Sequence, residues 1–398
     1  MSSATVFVLN CGSSSIKFQV VEPELGTVTL SGICENVQTD RCVLSFELGL
    51  KKEKKNLLKS DYHEVIEEIG KLLKAHPEIE KTIIAIGHRV VQGGEAFYES
   101  VIVDDDVLNK IHECSDLAPL HNPVNALGIV VMQELYPHLP QVAVFDTAFH
   151  QTLPEHSYLY AIPYQYYEEY GVRRYGFHGT SHRFIVELAA KRLKKNIEET
   201  TLISAHLGNG CSICAALGGK SVDTSMGFTP LEGLMMGQRS GDIDPGIVGF
   251  LAEKLQVGAG EIITMLNKMG GLLGVSGVSE DMRLIEQAAA EGDGMATLAI
   301  EMFCYRLAKY IASYLVPLGL PDALIFTGGI GENGAQIRTR VIEWLEPMGF
   351  ALDEVRNRQH GKKSSGWISK EEEVPHILVL PTNEELLIAR DARALVEK

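Results

Sequence analysis

One local pattern occurs twice in this chain, far apart, and constrains the fold more than anything else in the sequence. Near the start, a β-rich run, Thr5–Asn10, enters a turn of small residues, Asn10-Cys-Gly-Ser-Ser-Ser15, and leaves as a second β-rich run, Ile16–Val21. Later, Thr201–Ala205 enters His206-Leu-Gly-Asn-Gly-Cys-Ser212 and leaves into another strand-like stretch. Each reads as a β-hairpin whose turn offers free backbone N–H groups. Small-residue turns are common, so the match alone is weak evidence of duplication. It makes two equivalent halves facing one cleft a hypothesis to carry forward.

The rest of the chain alternates strands and helices. Asp61–Ala75 reads as an amphipathic helix with a capping-box start at Asp61 and Glu64 and an apolar face of Val65, Ile69, Leu72 and Leu73. Thr82–Val91 and Val142–Asp146 read as buried strands. Met295–Leu315 reads as one long helix, with Leu298, Met302, Leu307, Ile311 and Leu315 at helical spacing and Pro317 as its stop. It feeds an apolar strand, Ala323–Thr327, that runs into glycines. The mixture is α/β, with helices packed on sheets. A chain of 398 residues suggests two to three domains. The expected division is 1–150, completed by a C-terminal helix at about 385–398, and 151–384.

Composition excludes several classes. With 45% hydrophobic and 22% charged residues, the chain is globular rather than disordered. No apolar run reaches membrane-spanning length, and no basic n-region precedes Lys17, so a cytoplasmic protein is expected. A net charge of −16 argues against non-specific binding to nucleic acid or membrane, while leaving room for a local anion site. The seven cysteines fit reduced thiols better than a disulfide framework. Cys211 and Cys214 have C-x-x-C spacing, but no second pair accompanies them, and two small residues beside a loop is the better reading.

Individual motifs carry different weight. Gly12-Ser-Ser-Ser-Ile-Lys17 combines backbone donors, hydroxyls and an ammonium, suited to a phosphate and equally to a polar hairpin turn; both readings stay open. Gly219-Lys220-Ser221 lacks the upstream glycine of a P-loop, because position 214 is Cys. Gly329-Ile-Gly331-Glu-Asn-Gly334 follows a strand and matches the dinucleotide fingerprint, with Asp353 downstream. Too little chain follows for a complete dinucleotide domain, so the glycines more plausibly admit a nucleotide from one side. His178 and His182 have zinc-ligand spacing, yet Gly179 stands where a metalloprotease has Glu. His178 in a loop and His182 as a packing or hydrogen-bonding residue is the better reading. Arg89, Asp146, Arg239 and Glu384 each stand in glycine-rich or strand-end contexts. Together they suggest a crevice for an anion and a metal.

These segments resemble the acetate kinase family. The likeness rests on Asn10-Cys-Gly-Ser-Ser-Ser-Ile-Lys17, Gly87-His-Arg-Val-Val-Gln-Gly-Gly94, Val144-Phe-Asp-Thr-Ala-Phe-His150 and Tyr175-Gly-Phe-His-Gly-Thr-Ser-His182. His206-Leu-Gly-Asn-Gly210, Gly237–Pro245, Phe326–Asn333 and Pro381–Glu385 continue it to the last helix. The resemblance implies the duplicated fold of acetate and sugar kinases, the heat-shock ATPase and actin, with two domains around a nucleotide cleft. It also implies a homodimer that transfers phosphate reversibly between ATP and acetate with Mg²⁺, for which Mn²⁺ can substitute.

The resemblance further assigns roles. Asn10 and Glu384 lie near the metal, and Lys17 near the nucleotide phosphates. His206, Leu207, Gly208, Asn209 and Gly210 form one ATP-binding segment. Asp281, Met282 and Arg283 form a second, and Gly329, Ile330, Gly331, Glu332 and Asn333 a third. Arg89 binds the substrate, Asp146 is the catalytic acid or base, and His178 and Arg239 stabilise the transition state. Val91, Leu120, Phe177 and Pro230 surround the acetate methyl group. Gln92 stands where many relatives carry His.

The chemistry agrees. Acetate is already a nucleophile and needs relief from repulsion by the γ-phosphate, which permanently charged guanidiniums supply. Asp146 is then better read as an organiser of metal, water or arginine than as a base. Direct in-line transfer is expected. Propionate is the near alternative substrate, since one methylene is worth only ~1–3 kcal/mol in an apolar pocket. An actin- or heat-shock-like nucleotide switch and a dehydrogenase are the distant alternatives.

Overall fold

The computed structural model describes residues 4–12, 14–370 and 374–398. Among these residues thirteen strands form two sheets. The first holds β1 (Thr5–Cys11), β2 (Ser15–Val21), β3 (Val28–Glu35), β4 (Val43–Leu48), β5 (Lys51–Asn56), β6 (Ile83–Val90), β7 (Val101–Ile102) and β8 (Gln141–Phe145). The second holds β9 (Thr201–Leu207), β10 (Cys211–Leu217), β11 (Lys220–Thr224), β12 (Ala323–Thr327) and β13 (His376–Val379).

The duplication is visible in the strand order. The first sheet runs β5-β4-β3-β2-β1-β6-β8-β7, the second β11-β10-β9-β12-β13. Within the first, β3-β2-β1 are antiparallel neighbours and β1-β6-β8 parallel ones. The second repeats this sequence of senses strand for strand. The first hairpin places Asn10 opposite Lys17, and the second places His206 opposite Ser212. The parallel strands β8 and β12 are buried at every residue, as strands covered on both faces must be. At the other extreme β5, Lys-Lys-Glu-Lys-Lys-Asn, is exposed throughout, and its lysines discourage edge-to-edge pairing.

Contacts divide the chain into two units, Met1–Gln151 with Asn383–Lys398, and Thr152–Thr382. In the first, helix Tyr62–Lys74 starts at a complete capping box: the Glu64 N–H donates to Asp61 Oδ1 (2.9 Å) and the Asp61 N–H to Glu64 Oε2 (3.1 Å). Its buried face, Val65, Ile66, Ile69 and Leu73, joins the core beneath β1, β2 and β3. Burying each such side chain contributes about 1.5–3 kcal/mol. The C-terminal helix, Glu384–Val396, packs on β1, β6 and β8. Gly87 permits this approach, because a Cβ there would lie 2.5 Å from Ile388 Cγ2.

In the second unit the long helix is Gly294–Ser313, followed by a separate four-residue helix, Leu315–Leu318, that contains Pro317. Its buried face also differs from the expected one. Leu298 is exposed, while Ala296, Ala299, Ile300, Phe303, Cys304, Leu307, Ala308 and Ile311 are buried. Helices Gly271–Ser276, Met282–Ala290 and Ala335–Leu345 all pack on this helix. Leu307 and Ile311 are buried as expected, but alanine and cysteine let three neighbours approach closely, so the buried face is wider than the large apolar residues mark and leaves Leu298 outside it.

The two motifs that invited other readings, one a turn and one within a strand, are structural. Gly218 and Gly219, both at positive φ, make the two-residue hairpin turn between β10 and β11. Cys211 and Cys214 lie three apart on β10, so they face opposite sides of the sheet and share no site.

Candidate active site

In the first unit, the C-terminal ends of three neighbouring strands and the start of the last helix bring Asn10, Arg89, Asp146 and Glu384 together. Arg89 Nε donates to Asp146 Oδ1 and Oδ2 (3.1 and 3.0 Å), and Nη2 donates to Oδ2 (2.5 Å). Arg89 Nη1 donates to Asn10 Oδ1 (3.2 Å), and Nε stands 3.8 Å from Glu384 Oε2. Burial works against the charge on Arg89. Asp146 and then Glu384 outweigh it and hold the guanidinium above its ordinary pKa. Glu384 is pushed up to about 7, chiefly by burial, with Arg89 and Lys17 opposing and Asp146 and Glu385 adding to the rise. Asn383 caps the helix by accepting from the Leu386 N–H (2.9 Å), which fixes where Glu384 begins. Lys17 is exposed on β2. Ser13, one of the three hydroxyls of the first turn, lies outside the described residues.

Two asparagines absent from the sequence reading brace this cluster. Asn125 accepts from the Val91 N–H (3.0 Å) and donates to Cys11 O (2.7 Å). Asn122 accepts from the Gln92 N–H (3.1 Å) and donates to Gln92 O (2.8 Å). Both are buried on helix Asn122–Leu135, and no residue pattern marks them. Of the methyl-pocket candidates on this unit, Val91 is buried, but Leu120 is 63% exposed.

In the second unit, His178 caps helix Gly179–Leu193 in a left-handed conformation (φ 56°) uncommon for a residue with a side chain. Its Nδ1 shares a hydrogen bond with Ser212 Oγ (2.9 Å). His182 meets Ser204 Oγ through Nδ1 (2.9 Å) and Ser212 Oγ through Nε2 (2.7 Å), so both ring nitrogens are used. His206 Nδ1 pairs with Ser181 Oγ (2.8 Å), and the His178 and His206 rings lie 4.5 Å apart. Arg239 donates from Nη1 to Pro230 O (3.3 Å) and approaches Met236 Sδ (3.9 Å). Among the described residues it has no carboxylate partner, and burial lowers its pKa. Gly210 lies against both groups: a Cβ there would be 3.3 Å from His178 Cε1 and 3.6 Å from Arg239 Nη1. Phe177 is buried and Pro230 half-buried.

The three glycine-rich and charged segments of the second unit meet at one cavity of about 670 Å³. Residues 208–209, 280–283 with Glu286, and 329–330 with 333–334 wall it. Glu280 and Glu286 are lining residues that no sequence motif marked, and Gly334 lines it as the last glycine of the fingerprint. His206, Leu207, Gly210, Gly331 and Glu332 do not line it. Leu207 is buried in β9, and Gly331 O accepts from Arg338 Nη1 (2.7 Å) beneath helix Gly328–Asn333. Arg338, fully buried, also donates from Nε to Asn357 Oδ1 (2.8 Å), so it braces this segment from behind. Gly328 is needed for the close turn: its φ is +77°, and a Cβ would lie 2.8 Å from Leu207 O.

Two repeated mixed sheets, a nucleotide-sized cavity in the second unit and a guanidinium site in each unit fit one class: an actin-like phosphotransferase. The sequence model of the acetokinase family matches residues 5–390, and the chain belongs to that family. It is 51% identical to the acetate kinase of Shewanella amazonensis and 50% identical to that of Shewanella oneidensis, over the full length of both chains in each case. A propionate kinase from Francisella tularensis superposes with a TM-score of 0.93 at 47% identity, covering 98% of this chain and all of that one. Porphyromonas gingivalis acetate kinase gives 0.93 at 43%, covering 99% and 100%. The final glycines therefore belong to an actin-like sheet, in which β12 runs between β9 and β13, rather than to a dinucleotide domain.

Proposed function

We propose that this protein is an acetate kinase, transferring the γ-phosphoryl group of ATP to acetate in a reversible, direct in-line reaction. The observation that carries the reading is Arg239: a partly buried guanidinium with no carboxylate partner among the described residues, beside His178, on the unit that holds the nucleotide-sized cavity. Such a group is suited to an anionic ligand that brings the missing charge.

Each side chain then has a task. ATP occupies the cavity walled by 208–209, 280–283 with Glu286, 329–330 and 333–334. Arg89 binds the acetate carboxylate, with Asp146 fixing the guanidinium in plane. Arg239 and His178 donate to the equatorial oxygens of the transferring group, where preorganised donors are worth most. Acetate needs no base, so Asp146 acts as an organiser. Asn10, Asp146 and Glu384 form an all-oxygen donor set in which burial leaves Glu384 under-compensated, and this fits a hard divalent cation. We assign Mg²⁺ to Asn10 and Glu384; when bound it neutralises phosphate charge, and Mn²⁺ can replace it. Among the described residues no cluster of three His, Cys, Asp or Glu side chains could hold a metal, in keeping with an ion that takes much of its shell from water and phosphate.

A homodimer in the cytoplasm completes the proposal. Helix Gly246–Leu255 buries none of its residues and exposes Ile247, Phe250 and Leu255, a face suited to a second copy. No helix among the described residues is long and apolar enough to cross a membrane. The test is acyl-phosphate formation, trapped with hydroxylamine, from ATP and Mg²⁺ with and without acetate, in wild type and Arg89→Ala. Acetate-dependent product that collapses in the variant supports the assignment. A higher kcat/KM for propionate than for acetate would instead make this a propionate kinase, the activity carried in the name of the Francisella relative.

A further inference from the structure

Arg239 stands on a segment without regular secondary structure, between β11 and helix Gly246–Leu255. Its side-chain hydrogen-bond partners among the described residues, Pro230 O and Met236 Sδ, belong to the same segment. With no carboxylate among the described residues to orient it, the guanidinium is aimed by the shape of its own loop. That shape is held from two sides. On one, the Leu272 N–H donates to Met236 O (2.9 Å), the Gly270 N–H to Gln238 O (2.8 Å) and the Ser240 N–H to Leu266 O (3.0 Å). On the other, helix Gly294–Ser313 sends out two side chains. Arg306 Nη1 donates to Ser240 O (3.0 Å), and the Tyr310 hydroxyl donates to Asp242 Oδ2 (2.6 Å).

Asp242 is the junction. Its Oδ1 accepts from the Gly233 N–H (2.7 Å), and its own N–H donates to Gly233 O (3.0 Å), so one residue closes the base of the loop. Between them Gly241 adopts φ +67°, where a Cβ would lie 2.4 Å from Leu234 O. The closure is tight, and Tyr310 anchors it to the longest helix of the unit. Burial and then the bond to Asp242 hold the phenol's pKa above its ordinary value, so the hydroxyl remains a donor at neutral pH. Neither Tyr310 nor Arg306 lines the nucleotide cavity.

We propose that Tyr310 and Arg306 are positioning residues for phosphoryl transfer: through Asp242 and Ser240 they hold the Gly233–Asp242 loop so that Arg239 keeps its orientation toward the transferring group. The inference rests on the assignment of Arg239 made above. A displacement of about 1 Å in such a group is enough to cost up to 10²-fold in rate. The two ties come from one helix turn apart, so losing either tilts the loop without opening the core.

The experiment is steady-state kinetics on Tyr310→Phe, Arg306→Met, Arg239→Ala and the double variant Tyr310→Phe/Arg239→Ala, with melting temperatures taken alongside. Tyr310→Phe is expected to lower kcat about tenfold and leave KM for ATP within about twofold, at nearly unchanged melting temperature; Arg306→Met repeats the pattern. In the Arg239→Ala background Tyr310→Phe is expected to cost nothing further, because both changes act through one group. A loss that multiplies onto that of Arg239→Ala, or wild-type kcat in both Tyr310→Phe and Arg306→Met, overturns the proposal. Wild-type kcat in Arg239→Ala overturns the assignment of Arg239 itself and the proposal with it, a result distinct from failure of the Tyr310 tie alone.

Discussion

Gly210 and His178 are packed closely: a Cβ at position 210 would lie 3.3 Å from the imidazole Cε1, tighter than an ordinary contact. The ring cannot retreat freely, because Ser212 holds its Nδ1 at 2.9 Å. The absence of a side chain at position 210 is therefore part of how His178 is placed. Gly210→Ala should push the ring by a few tenths of an ångström and lower kcat about tenfold, with little change in KM for ATP. Steady-state kinetics check this, and an unaltered kcat would show that His178 tolerates displacement.

Glu384 is the carboxylate whose charge burial disfavours most clearly in the first-unit cluster. Glu384→Gln removes that charge and keeps the shape. The apparent Mg²⁺ requirement should rise at least about tenfold, the size typical of losing a metal-shell group. Activity measured against Mg²⁺ at fixed ATP reads this directly. An unchanged Mg²⁺ dependence would remove Glu384 from the metal site.

His88 is buried on β6, with its Nε2 2.8 Å from Gln141 Oε1, and burial pushes its pKa down to about 4. The unfolded chain takes up this proton near pH 6.5, the folded one only near 4. Between those values the unfolded state binds more protons, so stability falls as pH falls, and the loss is complete below about 4. From pH 7 to pH 5 this one group should cost about 2 kcal/mol. Urea unfolding at the two pH values should show a smaller loss in His88→Gln than in wild type by about that amount.

Phe250 is 60% exposed on a helix with no buried residue. If a second copy covers it, Phe250→Glu places a charge in the interface and should convert dimer to monomer in light scattering at micromolar protein. A dimer that persists unchanged would place the interface on another face.

Much of this was legible from residue order, for local reasons. The Asp61 and Glu64 capping box and the hairpin turns are interactions between residues a few positions apart, and such geometry is written in the chain. The buried parallel strands announced themselves by unbroken apolar runs. Arg89, Asp146 and Glu384 were recognisable as charges at strand ends, although strands and helix from opposite ends of the chain had to meet before they could form a cluster.

What the tertiary structure alone decided is less local. The buried face of Gly294–Ser313 follows from three helices packing on it, and the small residues that admit them carry no large apolar signal. Asn122 and Asn125 became braces only because their helix lies under two distant loops. Glu280 and Glu286 became cavity walls only when separate segments closed around one space. The lone charge of Arg239 is of the same kind, since whether a guanidinium has a partner depends on which oxygens fold toward it. Local order thus determined the elements and the chemical candidates. Packing between distant segments determined which of them touch, and those contacts set the charge, the reach and the aim of each group.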